Sequence, residues 1–107
     1  MIDYDKFTAE LARYPTEQTD PRIVEAMYVG LGLVGEAGEV SEKIKKWHRD
    51  GKVDPFAVAL ELGDVLYYLT RCANCFGYSL EDIKHFNVKK LSDRRDRGVL
   101  KGDGDNR

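Results

Sequence analysis

The chain has 107 residues, 42% of them hydrophobic and 34% charged, with a net charge of −2. That length holds one domain with a feasible core. The near-neutral charge gives no global attraction for a nucleic-acid polymer or an anionic membrane, so an anionic substrate would have to be drawn in locally. The N-terminus, MIDYDKFTAEL, lacks the character of a secretory signal, and no apolar run reaches the roughly 20 residues that span a bilayer.

A short first helix is predicted over residues 3–13, stopped by Tyr14-Pro15, with a turn over 16–21. Asp20 followed by Pro21 sets a cap and a first helical position for a long second helix. It runs to about Arg49 and is broken by Asp50-Gly51. Gly30, Gly32, Gly35 and Gly38 each weaken that helix by about 1 kcal/mol relative to Ala. Their clustering predicts close packing against the helix or a local break. Asp54-Pro55 repeats the cap-then-Pro signal, and a third helix follows to about Phe76, ended by Gly77. Ser79-Leu80-Glu81-Asp82 resembles a capping box and starts a fourth helix to about Arg95. The remainder, RGVLKGDGDNR, reads as loop or tail. With no strand signal, the expected fold is all-α, a four-helix bundle-type domain over 1–107 with its tail from about residue 97. Cys72 and Cys75 fall in the third helix without a second Cys pair, so they read as reduced structural thiols, which suits a cytoplasmic protein.

Two acidic doublets stand out within this pattern: Glu36-x-x-Glu39 in the second helix and Glu61-x-x-Asp64 in the third. At i,i+3 spacing the two carboxylates of a doublet share a helix face. On a helical wheel Glu61 lies in the middle of an apolar stripe, with Ala57, Val65, Tyr68 and Cys72 within roughly 40° of it, and Asp64 lies at the edge. Glu36 lies close to Val40 and Trp47, and Glu39 lies on the flank nearer Lys43 and Lys46. Glu42 falls off this line and reads as solvated. Acidic pairs are common on exposed helix faces. Two of them beside apolar side chains, on consecutive antiparallel helices, are not, because an unpartnered buried charge costs several kcal/mol or more. A shared divalent cation is the partner this pattern predicts. All-oxygen ligands favour Mg²⁺, with Mn²⁺ as a substitute. A di-iron bundle would need Glu-x-x-His pairs, and no Glu here has His at i+3.

A carboxylate-held Mg²⁺ commonly meets phosphate oxygens, and phosphate chemistry also needs cations. Asn87, Lys90 and Arg94 follow i,i+3,i+7 spacing on the fourth helix, while Lys43 and Lys46 share the flank of Glu39. A basic helix end also interacts favourably with the helix macrodipole, so the spacing alone leaves both roles open. Trp47, Tyr67 and Tyr68 offer rings for stacking on a base, or for the core. His48 and His85 read as surface or helix-end residues.

With GLVGEAGEVSEKIKK, ELGDVLYYL and NVKKLSDRRDRGVLKGDGDNR in this order, the chain resembles the MazG-like nucleotide pyrophosphohydrolases of the all-α NTP pyrophosphatase superfamily, over about residues 31–107. The resemblance implies that Glu36, Glu39, Glu61 and Asp64 bind Mg²⁺ and carry catalysis, and that Asn87, Lys90 and Arg94 line a phosphate site. It implies cleavage of a nucleoside triphosphate between the α and β phosphates by metal-activated water, and assembly as a homodimer or homotetramer. Some members place an extra Glu directly before the first motif Glu; here that position is Gly35. Glu36 or Glu39 then serves as base, or no dedicated base is needed. The competing readings are a non-catalytic helical interaction module, a hydrolase of another pyrophosphate-containing nucleotide, and a sensor without turnover.

Overall fold

The computed structural model describes residues 1–17 and 19–104, so Gln18 in the predicted 16–21 turn and residues 105–107 of the predicted tail lie outside the described residues. Four helices form: α1 (Tyr4–Leu11), α2 (Arg22–Asp50), α3 (Pro55–Cys75) and α4 (Leu80–Asp96). No strand occurs among the described residues. The all-α class read from the sequence is therefore the observed one.

Local chemistry sets the helix ends. The Asp54 carboxylate accepts from the N–H groups of Phe56 (3.0 Å) and Ala57 (3.4 Å), satisfying donors at the start of α3, with Pro55 at its first position. The capping box at α4 is complete: Ser79 Oγ accepts from Asp82 N–H at 3.0 Å, and the Asp82 carboxylate accepts from Ser79 N–H at 2.9 Å. Asp20 accepts from Arg22 N–H at 2.9 Å and grips the Arg22 guanidinium, which holds its carboxyl down at about 2. The helix proper begins at Arg22, one residue later than Pro21. Gly51 closes α2 with φ +76°, a left-handed conformation that suits glycine and donates to Trp47 C=O at 2.8 Å.

Despite its glycines, α2 is continuous over 29 residues. It forms a helical hairpin with α3, and among the described helices α4 touches α3 alone, more sparingly. An ion pair between Arg71 on α3 and Glu25 on α2 (3.3 Å) ties the start of α2 to the end of α3. Among the described residues, α1 packs on no other helix. Within this four-helix, all-α fold the α2–α3 hairpin carries α4 against one side, and α1 stands apart. The radius of gyration is 19.3 Å, well above the roughly 13 Å of a compact domain of about 100 residues. Among the described residues only Val29, Ala73 and Arg94 are buried, while Leu31, Val34, Leu62, Leu66 and Tyr67 are exposed.

Candidate metal centre

The α2–α3 hairpin positions the acidic groups. Glu36, Glu61 and Asp64 each present a carboxylate oxygen within 4.8 Å of the other two. Glu36 and Glu61 are half-buried, whereas Asp64 and Glu39 are exposed. This matches the wheel, which put one member of each doublet on the apolar stripe and the other at its flank. Glu39 is outside the three-residue cluster, one helical turn from Glu36, yet its charge still reaches Glu36.

Electrostatics within the cluster is unfavourable without a cation. The Glu36 pKa is raised, first by desolvation and then by the negative charges of Asp64, Glu61 and Glu39. Every influence named for Glu36 therefore opposes its ionisation. Three oxygens at this spacing form a hard, anionic donor set, and a divalent cation would relieve both desolvation and mutual repulsion. The residues present fit such an ion.

The remaining predicted residues are distributed along the molecule. Asn87 and Lys90 on α4 line a cavity of about 230 Å³ together with Ile83 and Phe86. Arg94, seven residues beyond Asn87, is 4% exposed, the most buried charged side chain among the described residues. Lys46 and Trp47 lie ten and eleven residues beyond Glu36, about 15 and 16 Å along the α2 axis at 1.5 Å per residue. Within one copy they are therefore not beside the carboxylates. Trp47, half-exposed, lines an apolar cavity of about 370 Å³ with Ile44, Val53, Pro55 and Val58. Glu42 pairs with Lys45 at 3.1 Å on the surface, as a solvated residue should. Cys72 and Cys75 are free and half-buried, and burial pushes the Cys75 thiol up.

Tyr68 lies one turn from Asp64 on α3, with its ring edge-on to Tyr67 at 5.2 Å between centroids. The same ring packs on the α2 backbone at Gly32, where a methyl group would meet Cε1 and Cδ1 and lie 2.7 Å from Cζ. Nothing lies within 4 Å of the corresponding positions at Gly30, Gly35 and Gly38. Close packing, predicted for the glycine cluster as a whole, is thus realised within the chain at Gly32. Sequence reasoning passed over Tyr28, whose only signal is its spacing: Tyr28, Gly32 and Glu36 fall four residues apart along one face of α2.

Residues 27–99 match the family described as the MazG nucleotide pyrophosphohydrolase domain. The chain belongs to this family. The MazG match spans both acidic doublets and the whole of α4, so the convergent carboxylates lie inside the domain that defines it. A curated relative, the Gene 37 protein of Mycobacterium phage L5, is 38% identical over 109 residues, covering 97% of this chain and 96% of its own length. No solved structure matches significantly. At family level the chain is a nucleotide pyrophosphohydrolase. No helix of the described residues is long and apolar enough to cross a membrane.

Proposed function

We propose that this MazG-family chain is a Mg²⁺-dependent nucleoside triphosphate pyrophosphohydrolase, converting a (d)NTP and water into a (d)NMP and pyrophosphate. The observation that carries the reading is the convergence of Glu36, Glu61 and Asp64 oxygens within 4.8 Å, in surroundings that raise the Glu36 pKa. Glu36, Glu61 and Asp64, with Glu39 one turn away, are the residues that would hold Mg²⁺ or its substitute Mn²⁺. When bound, the ion polarises phosphoryl oxygens and makes water a better nucleophile.

The chain's own groups supply the rest. Water oxygen attacks the α-phosphorus, the bond from that phosphorus to the bridging oxygen breaks, and pyrophosphate leaves with the electron pair. Glu36 or Glu39 is the carboxylate assigned to take the water proton, unless the activated water needs no dedicated base. Asn87, Lys90 and Arg94 on α4, together with Lys46, are assigned to the phosphates, where positive charge offsets the charge that builds on the leaving group. Trp47 and Tyr68 are the rings offered to the base.

A second copy of the chain completes the picture. Exposed Leu31, Val34, Leu62, Leu66 and Tyr67 form more apolar surface than a stable monomer keeps in water, and Gly35 and Gly38 allow another helix to approach α2 closely. A homodimer or homotetramer buries this surface and offers a route for Lys46 and Trp47 of one copy to reach the carboxylates of another. Free thiols and a nucleotide substrate favour the cytoplasm.

The test is pyrophosphate release from a panel of canonical and damaged (d)NTPs, with and without Mg²⁺ or Mn²⁺. Metal-dependent release of equimolar pyrophosphate and monophosphate is expected for at least one triphosphate. Release of orthophosphate instead, or turnover indifferent to EDTA, overturns the reading.

A further inference from the structure

The first helix has an apolar face and no helix of its own chain to lay it on. Tyr4, Phe7 and Leu11 stand at i, i+3 and i+7 along α1, within an arc of about 60° at roughly 100° per residue. Asp5, Lys6 and Glu10 take the other sides of the helix. All three apolar side chains are exposed, Tyr4 by 72%, Phe7 by 43% and Leu11 by 61%, and among the described residues no helix packs on α1. Anchors at this spacing are what an amphipathic helix uses to seat itself in an apolar groove. Eight residues are too few to hold a helix in water without such a seat.

A matching groove lies where α2, α3 and the start of α4 meet. Leu33, Leu69, Cys72, Phe76, Tyr78 and Ile83, with the buried Ala73, line an open cavity of about 340 Å³. No charged side chain lines it. Its α3 wall repeats the spacing of the α1 row, since Leu69, Cys72 and Phe76 are also i, i+3 and i+7. Row and wall are therefore equally long, about 10.5 Å at 1.5 Å per residue. Leu33, Leu69 and Cys72 are half-buried, while Phe76 and Tyr78 stand exposed beside them.

We infer that this groove receives α1 of a second copy of the chain, so that two copies exchange their first helices. The inference rests on the assembly proposed above and gives it a further surface, made of different residues from the α2–α3 face. Area favours a second copy as the occupant. At about 150–250 Å² for an aromatic side chain, the exposed parts of Tyr4, Phe7 and Leu11 come to roughly 300 Å². One arm alone covers too little. Two arms exchanged about a two-fold axis, with the two grooves they cover, bury about 1,200 Å² in all, where specific, stable interfaces begin. An unrelated partner in the groove would leave the α1 row bare, whereas a second copy covers both surfaces at once. Phe7 is the central anchor. Whichever way the arm runs, the middle of its row falls on the middle of the α3 wall, so Phe7 faces Cys72.

That placement can be trapped with the chain's own thiol. Phe7→Cys puts a second thiol opposite Cys72, which is free. Oxidised glutathione then joins the two as a disulfide and is itself reduced to two glutathione thiols. A covalent dimer on a non-reducing gel is expected. It should be absent from the unsubstituted protein, lost when Cys72→Ser is added, and kept when Cys75→Ser is added instead. Ala9→Cys, on the opposite side of α1, should give none. In parallel, Phe7→Glu should weaken self-association about ten-fold or more by sedimentation equilibrium. These substitutions fall on a helix that packs on no other in its own chain, so the α2–α3 hairpin should keep its helical circular dichroism.

A disulfide within one chain, seen as a faster-running monomer, overturns the second copy as the occupant. No disulfide in Phe7→Cys, or as much in Ala9→Cys, overturns the docking itself. Self-association of Phe7→Glu equal to that of the unsubstituted protein removes the α1 arm and leaves the proposed assembly standing on its other surface. If the unsubstituted protein sediments as a single copy at every concentration, that assembly falls and the inference falls with it.

Discussion

Replacing Glu61 with Gln removes one of three converging carboxylates while preserving shape and polarity, so it separates metal binding from folding. The Glu61 side chain is half-buried on α3, and its charge is among those that raise the Glu36 pKa. Two opposite effects follow. Without metal, repulsion in the cluster is relieved, and the variant should be at least as stable as the unsubstituted protein. With metal, a ligand is missing.

Loss of an outer partner costs about 10- to 100-fold in metal affinity, so loss of a direct ligand should reach at least the upper end of that range. Linkage converts this into a melting shift. At Mg²⁺ equal to 100 times Kd, the unsubstituted protein gains about 2.7 kcal/mol. For a domain near 100 residues, at about 4–8 °C per kcal/mol, that is roughly 10–20 °C. At the same Mg²⁺ concentration a variant 100-fold weaker sits at its own Kd and gains about 0.4 kcal/mol, or roughly 2–3 °C. Differential scanning calorimetry with and without Mg²⁺, paired with pyrophosphate release, measures both arms. Equal Mg²⁺-induced shifts in the two proteins, or retained turnover in the variant, would refute the convergent-carboxylate argument.

The pH dependence has a defined sign. The folded Glu36 pKa is raised above its ordinary value of 4.5, so any stability from holding its proton is present below that value and is lost as pH rises through the folded pKa. In metal-free buffer, Glu36→Gln should match the unsubstituted protein near pH 4 and melt higher than it at pH 7, with Mg²⁺ reversing the order; a gap that ignores pH would contradict this. Ser79→Ala removes half of the capping box at α4 and should cost about 1 kcal/mol, seen as a lower melting temperature with unchanged metal affinity. Lys90→Ala should raise nucleotide KM or lower kcat with Mn²⁺ affinity intact, and unchanged kinetics would remove Lys90 from the phosphate site. Leu66→Glu places a charge on an exposed apolar position of α3 and, if copies assemble as proposed, should lower the sedimentation coefficient; the same coefficient in both proteins would show that this face stays open.

What could be read from the sequence, and what could not, follows from the range of the forces involved. The Asp54 cap, the Ser79–Asp82 box and the Gly51 stop act over three or four residues, and each stands in the structure where the residue types put it. The inward lean of Glu36 and Glu61 was legible for the same reason, since helical periodicity fixes which residues share a stripe. Periodicity does not say what the stripe faces. It showed that Asn87, Lys90 and Arg94 share a side of α4, but not that Arg94 is buried while Asn87 and Lys90 line a small cavity.

Likewise the glycine cluster announced a close approach, but not that a single position, Gly32, receives the Tyr68 ring. α1 marks the same limit more sharply. Asp3 caps it properly, and Tyr4, Phe7 and Leu11 form an exposed apolar row at helical spacing. Yet eight residues are fewer than the roughly 12–15 that an isolated helix needs in water. A capped, apolar-faced helix that touches no other helix of its own chain is a segment whose folding energy must come from elsewhere. The same holds for the open apolar face of the α2–α3 hairpin. Local sequence signals place the rods and aim the carboxylates; in the assembly proposed above, surfaces shared between copies would supply the burial that one copy lacks.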